Sequence, residues 1–275
     1  MEQTMIDFAR FHSRLWMRGR LRLDTPLRIG SGGMPSATET DLPVVKDVAQ
    51  RPYIPGSSFK GAFRAHLEAI LRALDPTLAC DSIAKQSNVP VAGCLTIDQV
   101  AQKKDASKDA DALSQELIKE SCWACRVFGS QWLASKVAFK DMRVVEETWF
   151  GRYLERSGVA IDRDTETAGE GLLYALEAVP TNVEFAFEMI VENADDAEQG
   201  LVLLGIREVE RGQMLLGGAR SRGLGWVTLI VDEISRVDRD SLRRYLATGK
   251  AETLTDQTRQ ALVNTFLERV GGKDA

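Results

Sequence analysis

The 275-residue chain carries a formal charge of -5, an apolar fraction of 44% and two histidines. That length can bury one large core or two small ones. The sequence has no long uncharged apolar run and begins with the polar Met1-Glu2-Gln3, so a membrane span, a membrane partner and a secretory signal are not expected and a cytoplasmic protein is. The acidic balance is unlike that of a freestanding nucleic-acid binder, so any site for a polyanion must be built from local charge.

The first expected element is a strand over 14–24. In Trp16-Met17-Arg18-Gly19-Arg20-Leu21-Arg22-Leu23 the alternation puts Arg18, Arg20 and Arg22 on one face and Met17, Leu21 and Leu23 on the other. A row of arginines on a sheet suits an RNA backbone, and equally a solvated face. A long Gly/Ser/Thr-rich loop runs on to about 41. The segment Tyr53-Ile54-Pro55-Gly56-Ser57-Ser58-Phe59-Lys60-Gly61-Ala62-Phe63-Arg64 reads as a Pro-Gly-Ser turn entering a helix over 58–74, with Ser57 as N-cap and a first turn whose free N–H groups attract phosphate. Phe59, Phe63, Leu67, Ile70, Leu71 and Leu74 recur at helical spacing and face the core, leaving Lys60 and Arg64 together on a more exposed stripe. His66 lies close to the apolar face, and neither it nor His12 has an evident partner, which argues against a histidine-driven ribonuclease.

An irregular region over 75–136 carries Cys80, Cys94 and the knuckle Cys122-Trp123-Ala124-Cys125, and includes a polar stretch, 102–120, with helical character. In a cytoplasmic chain this set favours zinc over a disulfide framework, because one C-x-x-C loop presents two sulfurs to a tetrahedral ion. A redox pair would want a thioredoxin-like strand–helix context. Buried free thiols are the other alternative. Strands are expected at 136–145 and 183–191, a helix at 195–214, a strand at 225–234 and two tail helices at 240–247 and 255–270. A hairpin at Gly169-Glu170-Gly171 leaves Leu172, Leu173 and Tyr174 in need of a cover.

Between that helix and the last strand lies Gly217-Gly218-Ala219-Arg220-Ser221-Arg222-Gly223-Leu224-Gly225-Trp226. Glycines allow close backbone approach and exposed N–H groups, and two arginines add planar donors matched to phosphate. The run lacks the lysine and hydroxyl order of a nucleotide-triphosphate loop, and a helix C-cap with a tight turn would account for its glycines alone. The β-α-β-β-α-β order makes the fold class α+β, a ferredoxin-like (RRM-like) core with a cysteine-bearing insertion, a second insertion over 147–181 and C-terminal helices.

Four pieces in this order resemble the RAMP superfamily, and within it the backbone subunits of type III CRISPR effector complexes. They are Leu27-Arg28-Ile29-Gly30-Ser31-Gly32-Gly33 with Asp41-Leu42-Pro43-Val44-Val45-Lys46-Asp47; the Tyr53 segment; Gly158-Val159-Ala160-Ile161-Asp162-Arg163-Asp164-Thr165 with Gly171-Leu172-Leu173-Tyr174; and the glycine-rich run. The resemblance implies one RAMP domain over 1–275, with a zinc-binding insertion at 75–136 and a thumb hairpin at 147–181 within it. It implies antiviral defence in a ribonucleoprotein complex, with guide RNA, complementary target RNA, other effector subunits and copies of the chain itself as partners. Asp41 would support metal-dependent cleavage of target RNA with Mg2+ or another divalent ion, Lys46 would offset developing charge, and Glu39 and Asp47 would assist.

RNA contacts would come from Arg18, Arg20, Lys46, Ser57, Lys60, Arg64, Arg152, Arg163, Arg220, Ser221 and Arg222, with Ile161 and Leu172 or Leu173 as a wedge that unstacks a base. Cys80, Cys94, Cys122 and Cys125 would hold a structural zinc. The alternatives are a guide-binding subunit in which Asp41 is inert, and a guide-processing endoribonuclease.

Overall fold

The computed structural model describes residues 10–32, 40–81, 93–164 and 166–271, without the side chains of 160 and 168–173. The expected assistant Glu39 and the Leu172 and Leu173 side chains lie outside that description. In chain order the elements are β1 (Ser13–Leu23), β2 (Tyr53–Ile54), α1 (Gly56–Leu74), α2 (Ile97–Ala106), α3 (Ala110–Lys119), α4 (Trp123–Phe128), β3 (Val137–Phe139) and β4 (Met142–Arg143). There follow β5 (Leu154–Ile161), β6 (Ala168–Ala178), β7 (Glu184–Glu192), α5 (Asp196–Glu210), β8 (Val227–Asp238), α6 (Leu242–Thr248), β9 (Glu252–Thr253) and α7 (Asp256–Gly271).

The main sheet has the order β3-β7-β1-β8-β9, with β1 antiparallel to both β7 and β8. Its first four strands with α1 and α5 form the ferredoxin-like core. The alternation of β1 is realised directly: Leu15, Met17, Leu21 and Leu23 are buried, while Arg18 and Arg20 are exposed. Gly19 interrupts the row because a Cβ there would collide with the Ile230 carbonyl of β8, where the β1–β8 register shifts.

Against the apolar face α1 lays Phe59, Phe63, Leu67 and Leu71, all fully buried and each stabilising by about 1.5–3 kcal/mol. The Phe59 ring meets Phe187 of β7 edge-on at 5.5 Å, and Gly205 lets α5 approach the Phe63 ring. Ile70 is only partly buried and Leu74, in the last turn, is exposed, so the apolar stripe ends before the helix does.

Several boundaries differ from the sequence expectation for physical reasons. The first helix starts at Gly56, not 58, so Ser57 stands inside its first turn and is not the cap; the N-cap residue is Pro55, without a side-chain cap bond. The Gly56 N–H donates instead to Asp141 Oδ1 at 2.7 Å, and the Ser58 and Phe59 N–H groups to the Pro55 carbonyl, so the expected free N–H groups are largely spent. Gly56 fits because a Cβ would run into the Phe139 carbonyl.

The strand expected over 136–145 is broken in two because its halves pair different partners, β3 with β7 and β4 with β2. The polar stretch splits into α2 and α3 at the Asp109 N-cap. The helix expected to reach 214 stops at Glu210, and Gly212 follows with φ +68°. At the far end α7 packs on α5, where Gly200 admits the Leu262 carbonyl. Among the described residues no helix is long and apolar enough to cross a membrane.

Candidate functional site

Two chemically distinct centres are built on this frame. In the first, Cys80 comes from the segment after α1, Cys94 from the segment before α2, Cys122 from the N-cap of the short α4 and Cys125 from its first turn. The four Sγ atoms lie within 4.8 Å of one another, with Cys80 to Cys125 at 3.5 Å and Cys80 to Cys122 at 3.6 Å. A disulfide needs about 2.05 Å, whereas a tetrahedral zinc with bonds of about 2.3 Å sets its sulfurs about 3.8 Å apart. Three of the thiols are buried and Cys94 is partly so. Hydrogen bonding from Cys122 and Cys80 lowers the Cys125 thiol to about 6, and Cys122, Cys125 and Cys80 hold Cys94 down, while Cys80 and Cys122 are pushed up, so thiolate character is confined to two of the four sulfurs. The set can hold a metal ion, and its donors fit zinc.

A surrounding network fixes that cluster. Arg64 donates to Glu68 Oε1 at 2.7 Å, to the Gly129 carbonyl at 3.0 Å and towards Cys125 Sγ at 3.9 Å. Arg72 takes the other Glu68 oxygen at 2.9 Å and reaches the Ala79 and Cys80 carbonyls. Lys60 donates to Ser135 Oγ at 2.8 Å, and burial together with Arg64 pushes it below the ordinary lysine range. The stripe read as exposed is therefore turned towards the insertion. Arg126 of α4 and Lys136 both pair with Glu198, which is 1% exposed, at 3.0 and 2.6 Å.

The second centre surrounds Asp41. Its Oδ2 accepts the Ala175 N–H at 2.8 Å, and on the same strand β6 the Leu42 N–H donates to the Ala175 carbonyl while the Leu42 carbonyl accepts the Glu177 N–H. Below it, Glu177 accepts from the Val44 N–H at 3.0 Å and from Lys46 Nζ at 2.8 Å, and Lys46 also sits 4.4 Å from the Tyr153 ring centroid. Lys46 is thus committed to the floor of the site. Asp47 turns away to Arg51 and to the Ala49 and Arg51 N–H groups, which hold its carboxyl below the usual range; the backbone bond from Arg51 is the largest cause.

The glycine-rich run closes the third side. Gly218 N–H donates to the Arg28 carbonyl at 2.8 Å and Gly225 N–H to the Pro26 carbonyl at 2.9 Å. Gly217 and Gly225, both at positive φ, stand where a Cβ would strike the Arg28 and Leu216 carbonyls. Between left-handed Ala219 and Gly223, residues Arg220–Arg222 form a single 3-10 turn that holds Arg220, Ser221 and Arg222 exposed. Arg222 Nη1 donates to the Tyr174 hydroxyl, one residue from the Ala175 that holds Asp41. The Tyr174 ring lies across Gly158, where any Cβ would overlap it.

Beyond this junction β5 and β6 form a separate antiparallel pair, Leu154↔Ala178 to Ile161↔Ala168, that projects Ile161 (63% exposed) and Arg163 into solvent, with exposed Arg152 before it. The β1 arginines are differently placed. Arg18 faces Glu188 at 3.8 Å, and Arg20 pairs with Glu184 at 3.1 Å and Asp232 at 3.6 Å, so this sheet face is a ladder of mixed sign. Sequence reasoning brought Asp41, Arg220 and Arg222 forward, quoted Arg28 and Tyr174 within motifs without giving either a contact, and passed over Glu177. Arg28 had a visible signal, the only cation in a Leu-Arg-Ile-Gly run ahead of a glycine loop.

No curated protein matches the chain in a sequence search. A model of the RAMP superfamily matches residues 20–228, a span that takes in the Asp41 loop, the cysteine cluster, the β5–β6 hairpin and the glycine-rich run. The chain belongs to the RAMP superfamily of CRISPR-associated RNA-binding proteins.

Proposed function

We propose that this chain is a guide-RNA-binding backbone subunit of a type III CRISPR effector complex that cleaves complementary target RNA at Asp41, with one structural zinc on its four cysteines. The observation that carries the reading is the junction itself: an exposed carboxylate, seated by the Ala175 N–H, beside a glycine-rich turn that offers Arg220 and Arg222 outward. Phosphate contacts from that turn position a strand without reading its bases. The hairpin over 154–178 acts as the thumb, and Ile161 at its end is the wedge, with Arg152 and Arg163 on phosphate.

In the cleavage step the ribose 2'-oxygen attacks the adjacent phosphorus as the P–O5' bond breaks with its electron pair on O5'. The 2'-hydroxyl proton passes to the free oxygen of Asp41, directly or through water, and O5' takes a proton from water, leaving a cyclic phosphate and a 5'-hydroxyl. The chain's own donors at Asp41 do not make a cation site, since among the described residues the four cysteines are the one group of candidate metal ligands. A divalent ion there would take most of its ligands from RNA and water.

Asp41→Ala in the assembled complex tests the assignment. Target cleavage is expected to fall by about 100-fold or more while guide retention and target affinity persist. Unchanged products would leave a guide-binding subunit with an inert Asp41. Cutting of a free repeat hairpin by the isolated chain would instead support the guide-processing reading.

A further inference from the structure

We propose that Arg28 is the phosphate-gripping residue of the Asp41 site, binding the non-bridging oxygens of the phosphate that is cut. The inference rests on the cleavage reading above and names the group that reading lacks. Charge must be stabilised where it develops on the phosphate, and Lys46 cannot supply it while it is held by Glu177 under the Tyr153 ring. Arg222 already gives Nη1 to the Tyr174 hydroxyl.

Arg28 is anchored from both sides of the junction. Its Nε donates to the carbonyl of Leu42, the neighbour of Asp41, at 3.3 Å, and its own carbonyl receives the Gly218 N–H at 2.8 Å. Its guanidinium lies in a slot between two glycines: a Cβ on Gly30 would stand 3.3 Å from Nη2, and one on Gly218 3.4 Å from Nη1. With Nε spent, both Nη groups keep their donors, and no partner for them occurs among the described residues. That is the planar pair of donors that matches two phosphate oxygens. Gly30 and Gly218 acquire a role beyond turning the chain, because a side chain at either would crowd the guanidinium. One residue thereby ties the loop carrying the acid–base group to the loop carrying Arg220 and Arg222.

The test uses the complex purified with this chain, carrying Arg28→Gln, which keeps a donor for the Leu42 carbonyl and removes the charge. Single-turnover cleavage is expected to slow by about 100-fold, as for loss of one oxyanion donor. The log-log salt slope of target binding should lose about 0.7 in magnitude, with the melting temperature kept. Arg28→Lys should restore the salt slope but not the rate, because a point charge replaces the fork. A parental salt slope in a folded Arg28→Gln complex overturns the proposal, as does a lowered melting temperature with an unchanged slope, which marks a purely structural arginine. If Asp41→Ala leaves cleavage intact while Arg28→Gln abolishes it, the acid–base assignment fails and the phosphate grip stands. A changed slope with parental cleavage means the phosphate held is not the one cut, and the proposal fails alone.

Discussion

The cysteine-bearing side and the Asp41 side of the molecule use their arginines in opposite ways. Around the four thiols five basic groups are held internally: Arg64 and Arg72 share Glu68, Lys60 meets Ser135, and Arg126 and Lys136 converge on Glu198. Around Asp41 Lys46 is spent on Glu177, but the arginines are presented outward on a 3-10 turn or lodged in a slot beside it. The lesson is that two pairs of similar composition, Lys60 with Arg64 and Arg220 with Arg222, are held differently according to whether carboxylates and carbonyls reach them first. A partly buried cation with an acidic partner adds rigidity to the fold, whereas an exposed one with open donors can meet a ligand.

The comparison can be broken most sharply at the cysteines. Cys122→Ser should remove about one zinc per chain by elemental analysis and cost about 3 kcal/mol or more in urea unfolding, since metal binding there is folding energy. The loss should spread to α7, because Trp123 of α4 packs edge-on against Phe266 at 5.3 Å. A chain that carries no zinc and unfolds like the parent would dissolve the distinction between the two sides.

A second experiment exchanges the roles of the two pairs. Arg64→Ala should destabilise by about 2 kcal/mol, because Glu68 and the Gly129 carbonyl lose their donor, and leave the salt dependence of RNA binding unchanged. The Arg220→Ala, Arg222→Ala double variant should do the reverse: stability within about 0.5 kcal/mol and a salt slope smaller by about 0.7 for each lost contact. An altered slope for Arg64→Ala would return α1 to the RNA path.

The smallest expected effect is one of pH. Burial works against the charge of Asp195, yet the Glu198 N–H together with Arg269 and Arg126 outweighs it and keeps this carboxyl below the ordinary aspartate range. Its contribution to stability is present above the ordinary aspartate value of about 3.9 and is lost as pH falls through the lower folded value. Asp195→Asn, which can still cap α5, should flatten the acid limb of a urea-midpoint profile and leave the neutral region nearly level.

Local periodicity was legible where it mattered most. The two-residue alternation of β1 and the Phe59, Phe63, Leu67 and Leu71 stripe of α1 follow from backbone geometry, so residue type alone places them. The ownership of charges was less legible. Glu68, four residues after Arg64, was a readable i,i+4 partner, but Gly129 and Cys125 reach Arg64 only through the tertiary fold. Likewise Ser57 has the right chemistry for a cap, and Asp141 displaced it from 85 residues away. The four cysteines were grouped by type as the fold groups them, and Asp41 was singled out by its motif, yet its seat on Ala175 spans 134 residues that no spacing rule connects.

The position of β1 also sets an order of events during synthesis. This strand leaves the ribosome first, yet it is the sheet's central member, and its two neighbours, β7 and β8, are made long afterwards. Until residue 192 has emerged both edges of β1 offer unpaired N–H and C=O groups, and the edge that meets β8 stays open until residue 238, a template for pairing with other chains. Closure of such a distant ladder is slow because loop entropy is lost before contacts form. The alternate arginines on β1, which meet glutamates of β7 in the folded sheet, are the kind of charge that keeps a waiting strand from pairing with other chains.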